Sequence, residues 1–225
     1  MRPLALFDLD RTLLDLDTAL ARWAAEFAAG RGLGPEAVAL VTALDAELRP
    51  DRGRFFAELR RRFGLPEPAE ELREAFRRRL PYLAGCYPGV REALAGLRAE
   101  GWRVGIVTNG AADRQLGKIR RTGLGELVDG YAISDAEGVR KPAAELFAIA
   151  ARRCGTGLAA GGWMVGDNPA TDVAGARAAG LRSVWIDHGT WPAHANVADH
   201  VVGHVLAGVE VVRDACSGGA GRVVT

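Results

Sequence analysis

A repeated pattern constrains this chain more than any other feature. Short apolar runs close on polar residues, and helix-like stretches separate one run from the next. The first run, Leu4 to Phe7, leads straight into Asp8-Leu9-Asp10-Arg11-Thr12. Arg103-Val-Gly-Ile-Val-Thr108 ends at Asn109-Gly110, Gly130 to Ser134 is shorter, Gly162 to Gly166 ends in Asp167, and Arg182 to Asp187 follows Gly180. Helix-like, mostly Ala-rich segments lie between them, at Val90 to Glu100, Ala111 to Gly123, Ala143 to Cys154 and Thr171 to Ala179. Buried strands alternating with helices of this length predict an α/β fold, a Rossmann-like doubly wound parallel sheet with helices on both faces.

The stretch from residue 16 to 86 breaks the pattern. Leu20, Trp23 and Phe27 recur at helical spacing, as do Val38, Val41 and Leu44. Phe55, Phe56, Leu59 and Phe63 form a third apolar face, and Leu72, Phe76 and Leu80 a fourth. With no strand-like run between them, the segment reads as an all-helical domain inserted into the sheet domain. Its runs Arg60 to Arg62 and Arg77 to Arg79 are balanced by acidic residues, so they read as solvated helix faces. The expected division is therefore 1–15 and 87–215 for the core, 16–86 for the helical insertion, and 216–225 for a Gly-rich flexible tail.

Composition narrows the function. A net charge of +1 gives no electrostatic case for nucleic acid or a membrane surface. Lysine occurs only at Lys118 and Lys141 in an otherwise arginine-based chain. Cys86, Cys154 and Cys216 form neither a disulfide framework nor a paired metal motif. No leader pattern opens the chain and no apolar run is long enough to span a bilayer, so a cytoplasmic protein is expected.

In an open parallel sheet, ligands bind beyond the carboxyl ends of the strands. That rule gathers Asp8 and Asp10, Thr108 and Asn109, Asp167, and, from the following turns, Lys141 and Asp172. Alternation puts Asp8 and Asp10 on one side of their strand, where two carboxylates need a cation between them or a shared proton. A site of several carboxylates, one ammonium and one hydroxyl suits Mg²⁺ and a phosphoryl group. One carboxylate is then left to attack and another to move protons.

Asp8-Leu9-Asp10-Arg11-Thr12, Thr108-Asn109, Lys141-Pro142 and Gly166-Asp167 through Asp172 occur in the order of the four motifs of the haloacid dehalogenase-like hydrolases. The chain resembles that superfamily over about residues 4 to 190, and the insertion is similar to the helical cap of its first subgroup. The resemblance implies a phosphatase in which Asp8 is the nucleophile and Asp10 the acid/base. It implies Mg²⁺ held by Asp8, the Asp10 backbone carbonyl and Asp167. Thr108 and Lys141, with the backbone N–H groups of Leu9, Asp10 and Asn109, would bind the phosphoryl oxygens. Thr12 would orient Asp10 through the turn, and Asp172 would complete the site through water or by holding Lys141.

Arg11 stands where the superfamily often has glycine, which is compatible with the turn if its φ stays negative. The carboxylate at Asp10 argues for phosphate-ester cleavage over dehalogenation. A phosphomutase has the same residues, and a phospho-accepting receiver domain is a more distant alternative. The absence of lysine from the insertion weighs against phosphonate cleavage. The expected partner is a small phosphorylated metabolite, with no nucleic acid and no membrane, bound by a monomer or homodimer. Glu47 to Arg54 reads as a loop between two helices, and its Arg52 and Arg54 are candidates for selecting the substrate.

Overall fold

The computed structural model describes residues 2–48, 51–189, 191 and 198–217. These fall into two compact units. One comprises residues 16–85, and the other the residues before and after that span.

In the larger unit, six strands form one sheet in the order β3-β2-β1-β4-β5-β6. They are β1 (Leu4–Phe7), β2 (Arg103–Thr108), β3 (Gly130–Ile133), β4 (Trp163–Gly166), β5 (Arg182–Ile186) and β6 (His200–Val202), all paired in parallel. The chain moves outward from β1 to β2 and β3, then returns to β1's other side for β4, β5 and β6. The order reverses at β1 and β4, which opens a crevice at their carboxyl ends.

Every residue of β1 is buried, so the strand is apolar throughout rather than alternating. Leu4, Leu6, Val107 and Met164 pack against Leu146, Phe147, Ala150 and Ala151 of a helix on one face. On the other face the C-terminal helix brings Gly208 so near Val165 and Val184 that a Cβ there would already touch both.

In the smaller unit, α1 (Leu16–Ala29), α2 (Pro35–Leu48), α3 (Arg52–Phe63) and α4 (Ala69–Leu83) contain no strand among the described residues. Trp23, Phe27, Phe55, Phe56 and Phe76 form its centre, with Trp23 edge-on to Phe76 at 4.9 Å between ring centroids. Such pairs add about 0.5–1.5 kcal/mol beyond their buried area.

The remaining helices belong to the larger unit. They are α5 (Val90–Ala99), α6 (Ala112–Arg121), α7 (Leu124–Leu127), α8 (Ser134–Glu137), α9 (Ala144–Arg153), α10 (Ala174–Ala178) and α11 (Val205–Ser217). Where the chain leaves and re-enters this unit, Leu14 and Cys86 form an antiparallel bridge. Tyr87 N–H then donates to the Leu13 carbonyl at 3.1 Å. Among the described residues, no helix is long and apolar enough to cross a membrane.

Three expectations need correction. The strand β6 and most of α11 were not foreseen, and α11 reaches Ser217, two residues into the expected tail. The rest of that tail, 218–225, lies outside the described residues. The stretch after Asp167 starts as a π-helical turn, Pro169–Val173, before α10. Arg52 and Arg54 belong to the first turn of α3 rather than to a loop. Asp51 causes this by capping the helix, its side chain accepting from Arg54 N–H at 2.9 Å. Arg49 and Pro50 lie outside the described residues.

Candidate active site

The register of the sheet sets the site. Phe7 lies opposite Ile106 on β2 and Val165 on β4, so Asp8, Thr108 and Asp167 emerge at neighbouring strand ends. Asp8 N–H donates to the Val165 carbonyl at 2.9 Å, which extends the β1–β4 pairing by one residue and fixes where the Asp8 side chain begins. The chain then folds back at once. Leu13 and Leu14 N–H both donate to the Leu9 carbonyl, at 3.0 and 2.9 Å, and Arg11 N–H donates to the Leu14 carbonyl at 2.9 Å.

That turn requires a left-handed residue, and it is Arg11, with φ 63°. The condition under which a bulky residue would fit without strain, a negative φ, is therefore not met. The sequence places an arginine where a Cβ costs about 1–2 kcal/mol relative to glycine. His188, which follows β5, braces this turn with Nε2 2.8 Å from the Arg11 carbonyl.

Lys141 joins the two halves of the site. Its ammonium, 2% exposed, donates to Asp8 Oδ1 at 2.5 Å and to Asp172 Oδ1 at 2.6 Å. Asn109 holds the lysine's backbone, accepting from Lys141 N–H at 2.9 Å and donating to the Lys141 carbonyl at 3.1 Å. The Lys141–Pro142 peptide is cis, and α9 starts two residues after Pro142 rather than at it.

Asp172 has both oxygens engaged. Lys141 takes one, and Asn168 N–H donates to the other at 3.0 Å. The Asn168 side chain meanwhile caps the π-helical turn, accepting from Ala170 and Thr171 N–H at 3.0 and 3.2 Å. Gly166 is required here because a Cβ would overlap the Asp172 carboxylate.

Asp8, Asp167 and Asp172 offer carboxylate oxygens within 4.8 Å of one another. Burial pushes the Asp8 carboxyl up to about 7, against the pull of Lys141 and with a further push from Asp172. Burial likewise raises Asp167 to about 8, assisted by the charges of Asp8 and Asp172 and opposed by that of Arg11. For Lys141, burial works against the charge, but Asp172 and Asp8 outweigh it and hold the ammonium above the ordinary lysine range. Three crowded, desolvated carboxylates have one ammonium beside two of them, so the donor set suits a hard divalent cation.

Asp10 points elsewhere. Its carboxylate accepts from Lys118 Nζ at 2.8 and 2.7 Å and from Gln115 Nε2 at 3.2 Å. Gln115 Nε2 also donates to Thr108 Oγ1 at 2.7 Å. Gln115 and Lys118 were missed in the sequence, although Lys118 is one of only two lysines in the chain.

The structure thus brings together Asp8, Asp167, Asp172 and Lys141, and separately Asp10 and Thr108. Thr12 is fully buried, and its hydroxyl has no hydrogen-bond partner among the described residues. Arg52 is an ion-pair partner of the buried Asp45 within the smaller unit, and Arg54 is exposed on α3.

Comparison with known proteins identifies the family to which the chain is similar. A family model described as haloacid dehalogenase-like hydrolase matches residues 3–180. A phosphoserine phosphatase of Thermus thermophilus is 43% identical over 155 residues, which is 67% of this chain and 60% of that protein. A glyceraldehyde 3-phosphate phosphatase of Pyrococcus abyssi is 37% identical over 102 residues, 45% of this chain and 42% of its own length. The matches thus span less than two thirds of these relatives. The crystal structure of a HAD phosphatase from Thermococcus onnurineus superposes with a TM-score of 0.60 at 27% identity, covering 94% of this chain and 97% of that one.

Proposed function

Because the chain belongs to the haloacid dehalogenase-like hydrolases, we propose that it is a Mg²⁺-dependent phosphatase that cleaves a small phosphate monoester through an aspartyl-phosphate on Asp8. The observation that carries this reading is the buried Asp8 carboxylate at the sheet's switch point, with Lys141 on its Oδ1 at 2.5 Å. A nucleophile held by one oxygen presents the other in a fixed direction.

In the first step, an Asp8 oxygen bonds to phosphorus while the bond to the leaving oxygen breaks, and Asp10 gives that oxygen its proton. In the second, water bonds to phosphorus, the Asp8–phosphorus link breaks, and the water's proton passes to Asp10. The Thr108 hydroxyl, Lys141 and the backbone N–H groups of Leu9, Asp10 and Asn109 would bind the phosphoryl oxygens.

The carboxylates of Asp8 and Asp167 and the Asp10 backbone carbonyl would hold Mg²⁺. When bound, the ion neutralises charge on the phosphoryl oxygens. Asp172, with both oxygens occupied, orients Lys141 rather than serving as a ligand.

Both curated relatives are named for small phosphorylated metabolites, which supports a substrate of that class. Phosphate release from a panel of such esters, with and without Mg²⁺, tests the reading. Asp8→Asn is expected to lower release by at least about 1,000-fold. Release at the parental rate in that variant would contradict the proposal.

A further inference from the structure

Gln115 and Lys118 are buried polar residues that none of the four motifs includes. They stand three positions apart on α6 and so share one face of the helix. Lys118 Nζ reaches both oxygens of Asp10 and, at 2.8 Å, Gln115 Oε1. An ammonium has three donors, and all three are accounted for by these acceptors. Gln115 Nε2 in turn links Asp10 Oδ2 to Thr108 Oγ1. A charge 5% exposed is expensive to bury unless it is paired and hydrogen-bonded, so the arrangement holds as a unit.

We propose that Lys118 and Gln115 are the positioning residues of the acid/base. They lock the Asp10 carboxylate in register with the Thr108 hydroxyl, so that Asp10 faces the bridging oxygen of a phosphoryl group seated on Thr108. The proposal rests on the reading of Asp8 and Asp10 given above. α6 follows β2 directly, so one helix sets both the phosphate's hydroxyl partner and the proton donor. The compact lysine head supplies a point charge to both oxygens of one carboxylate, in a chain that, Lys141 apart, otherwise uses arginine.

This role has a signature that a purely structural one lacks. An alkoxide leaving group needs the Asp10 proton as its bond to phosphorus breaks, whereas nitrophenolate departs without it. The value of kcat/KM covers only the steps through formation of the aspartyl-phosphate. Loss of positioning must therefore reduce kcat/KM for an alkyl ester far more than for an aryl ester.

The experiment compares glycerol phosphate with p-nitrophenyl phosphate for the parent enzyme and its Lys118→Met and Gln115→Met variants, with folding checked by circular dichroism. Lys118→Met is expected to lower kcat/KM by about 100-fold on the alkyl ester and by less than about 5-fold on the aryl ester. Gln115→Met should move the ratio in the same direction by less. Equal losses on the two esters, or none on either, would overturn the positioning role while leaving Asp8 chemistry standing. If Lys118→Met fails to fold, the ratio in Gln115→Met decides by the same criterion. A parent enzyme that releases phosphate from neither ester, with or without Mg²⁺, overturns both readings together.

Discussion

The two units handle charge in opposite ways. In the helical unit, arginines and carboxylates pair on solvated surfaces, as Arg79 does with Glu26 at 2.6 Å and Arg61 with Glu58 at 2.6 Å. In the sheet unit, Lys141 and Asp172 are each nearly inaccessible, and Lys118 is scarcely more exposed. Exposed pairs gain little because water screens them and long side chains must be ordered. Buried charges must first be stripped of water, and apolar residues of similar volume would often stabilise the fold as well or better. The sheet unit therefore retains a stability burden at the one place where its strand order reverses. The helical unit builds a conventional aromatic core and, apart from the buried Asp45 that pairs with Arg52, leaves its charges outside.

The comparison breaks most sharply at Lys141. Lys141→Met leaves Asp8 and Asp172 buried against each other without their shared cation. It is expected to cost about 3–5 kcal/mol in a denaturant titration, and to abolish phosphate release. A variant as stable as the parent would show that the buried triad is not under the tension described.

A smaller effect is expected from pH in the absence of metal. The unfolded carboxyls titrate near 3.8, whereas folded Asp8 and Asp167 titrate near 7 and 8. Between those limits the folded protein keeps protons that the unfolded chain has lost. The stability these two groups contribute is thus complete below 3.8 and is lost as pH rises through 7 to 8. Melting midpoints of chelator-treated protein should fall over that window, and Mg²⁺ should flatten the decline. A midpoint that rises steadily with pH in the chelated protein would contradict the raised values.

The smallest effect belongs to the helical unit. Arg61→Ala and Arg79→Ala should leave both the melting midpoint and phosphate release unresolved from the parent. A marked loss of stability in either would erase the distinction between the units.

The parts of the fold that were legible in the sequence share a physical cause. The strands β1, β2, β4 and β5 are runs buried on both faces, and each ends abruptly in a polar or turn residue. β6 was missed because it is three residues long, lies at the sheet edge and is largely exposed, so it carries little apolar signal. The helical faces of Trp23, Phe56 and Phe76 were readable because burial in a helical bundle enforces a 3.6-residue period.

At the site, Asp8, Lys141 and Asp172 were traceable because Asp8 follows a strand and the other two lie in short turns between elements. Gln115 and Lys118 hide in a helix with an ordinary polar composition. Their contact with Asp10 spans more than a hundred residues of chain, at separations of 105 and 108. The rarity of lysine in this chain was the available clue. Arg11 shows the reverse problem. A negative φ was the condition for an unstrained bulky residue there, and the turn around Leu9 and Leu14 does not meet it.

The account turns on which atom receives the phosphoryl group. The most direct measurement is rapid quenching of the enzyme with a phosphate ester in turnover, borohydride reduction of any acyl phosphate, and peptide mass spectrometry. The expected result is reduction of Asp8 to homoserine, in substrate-treated enzyme alone. Modification of a different residue, or turnover that never yields homoserine at Asp8, would contradict it.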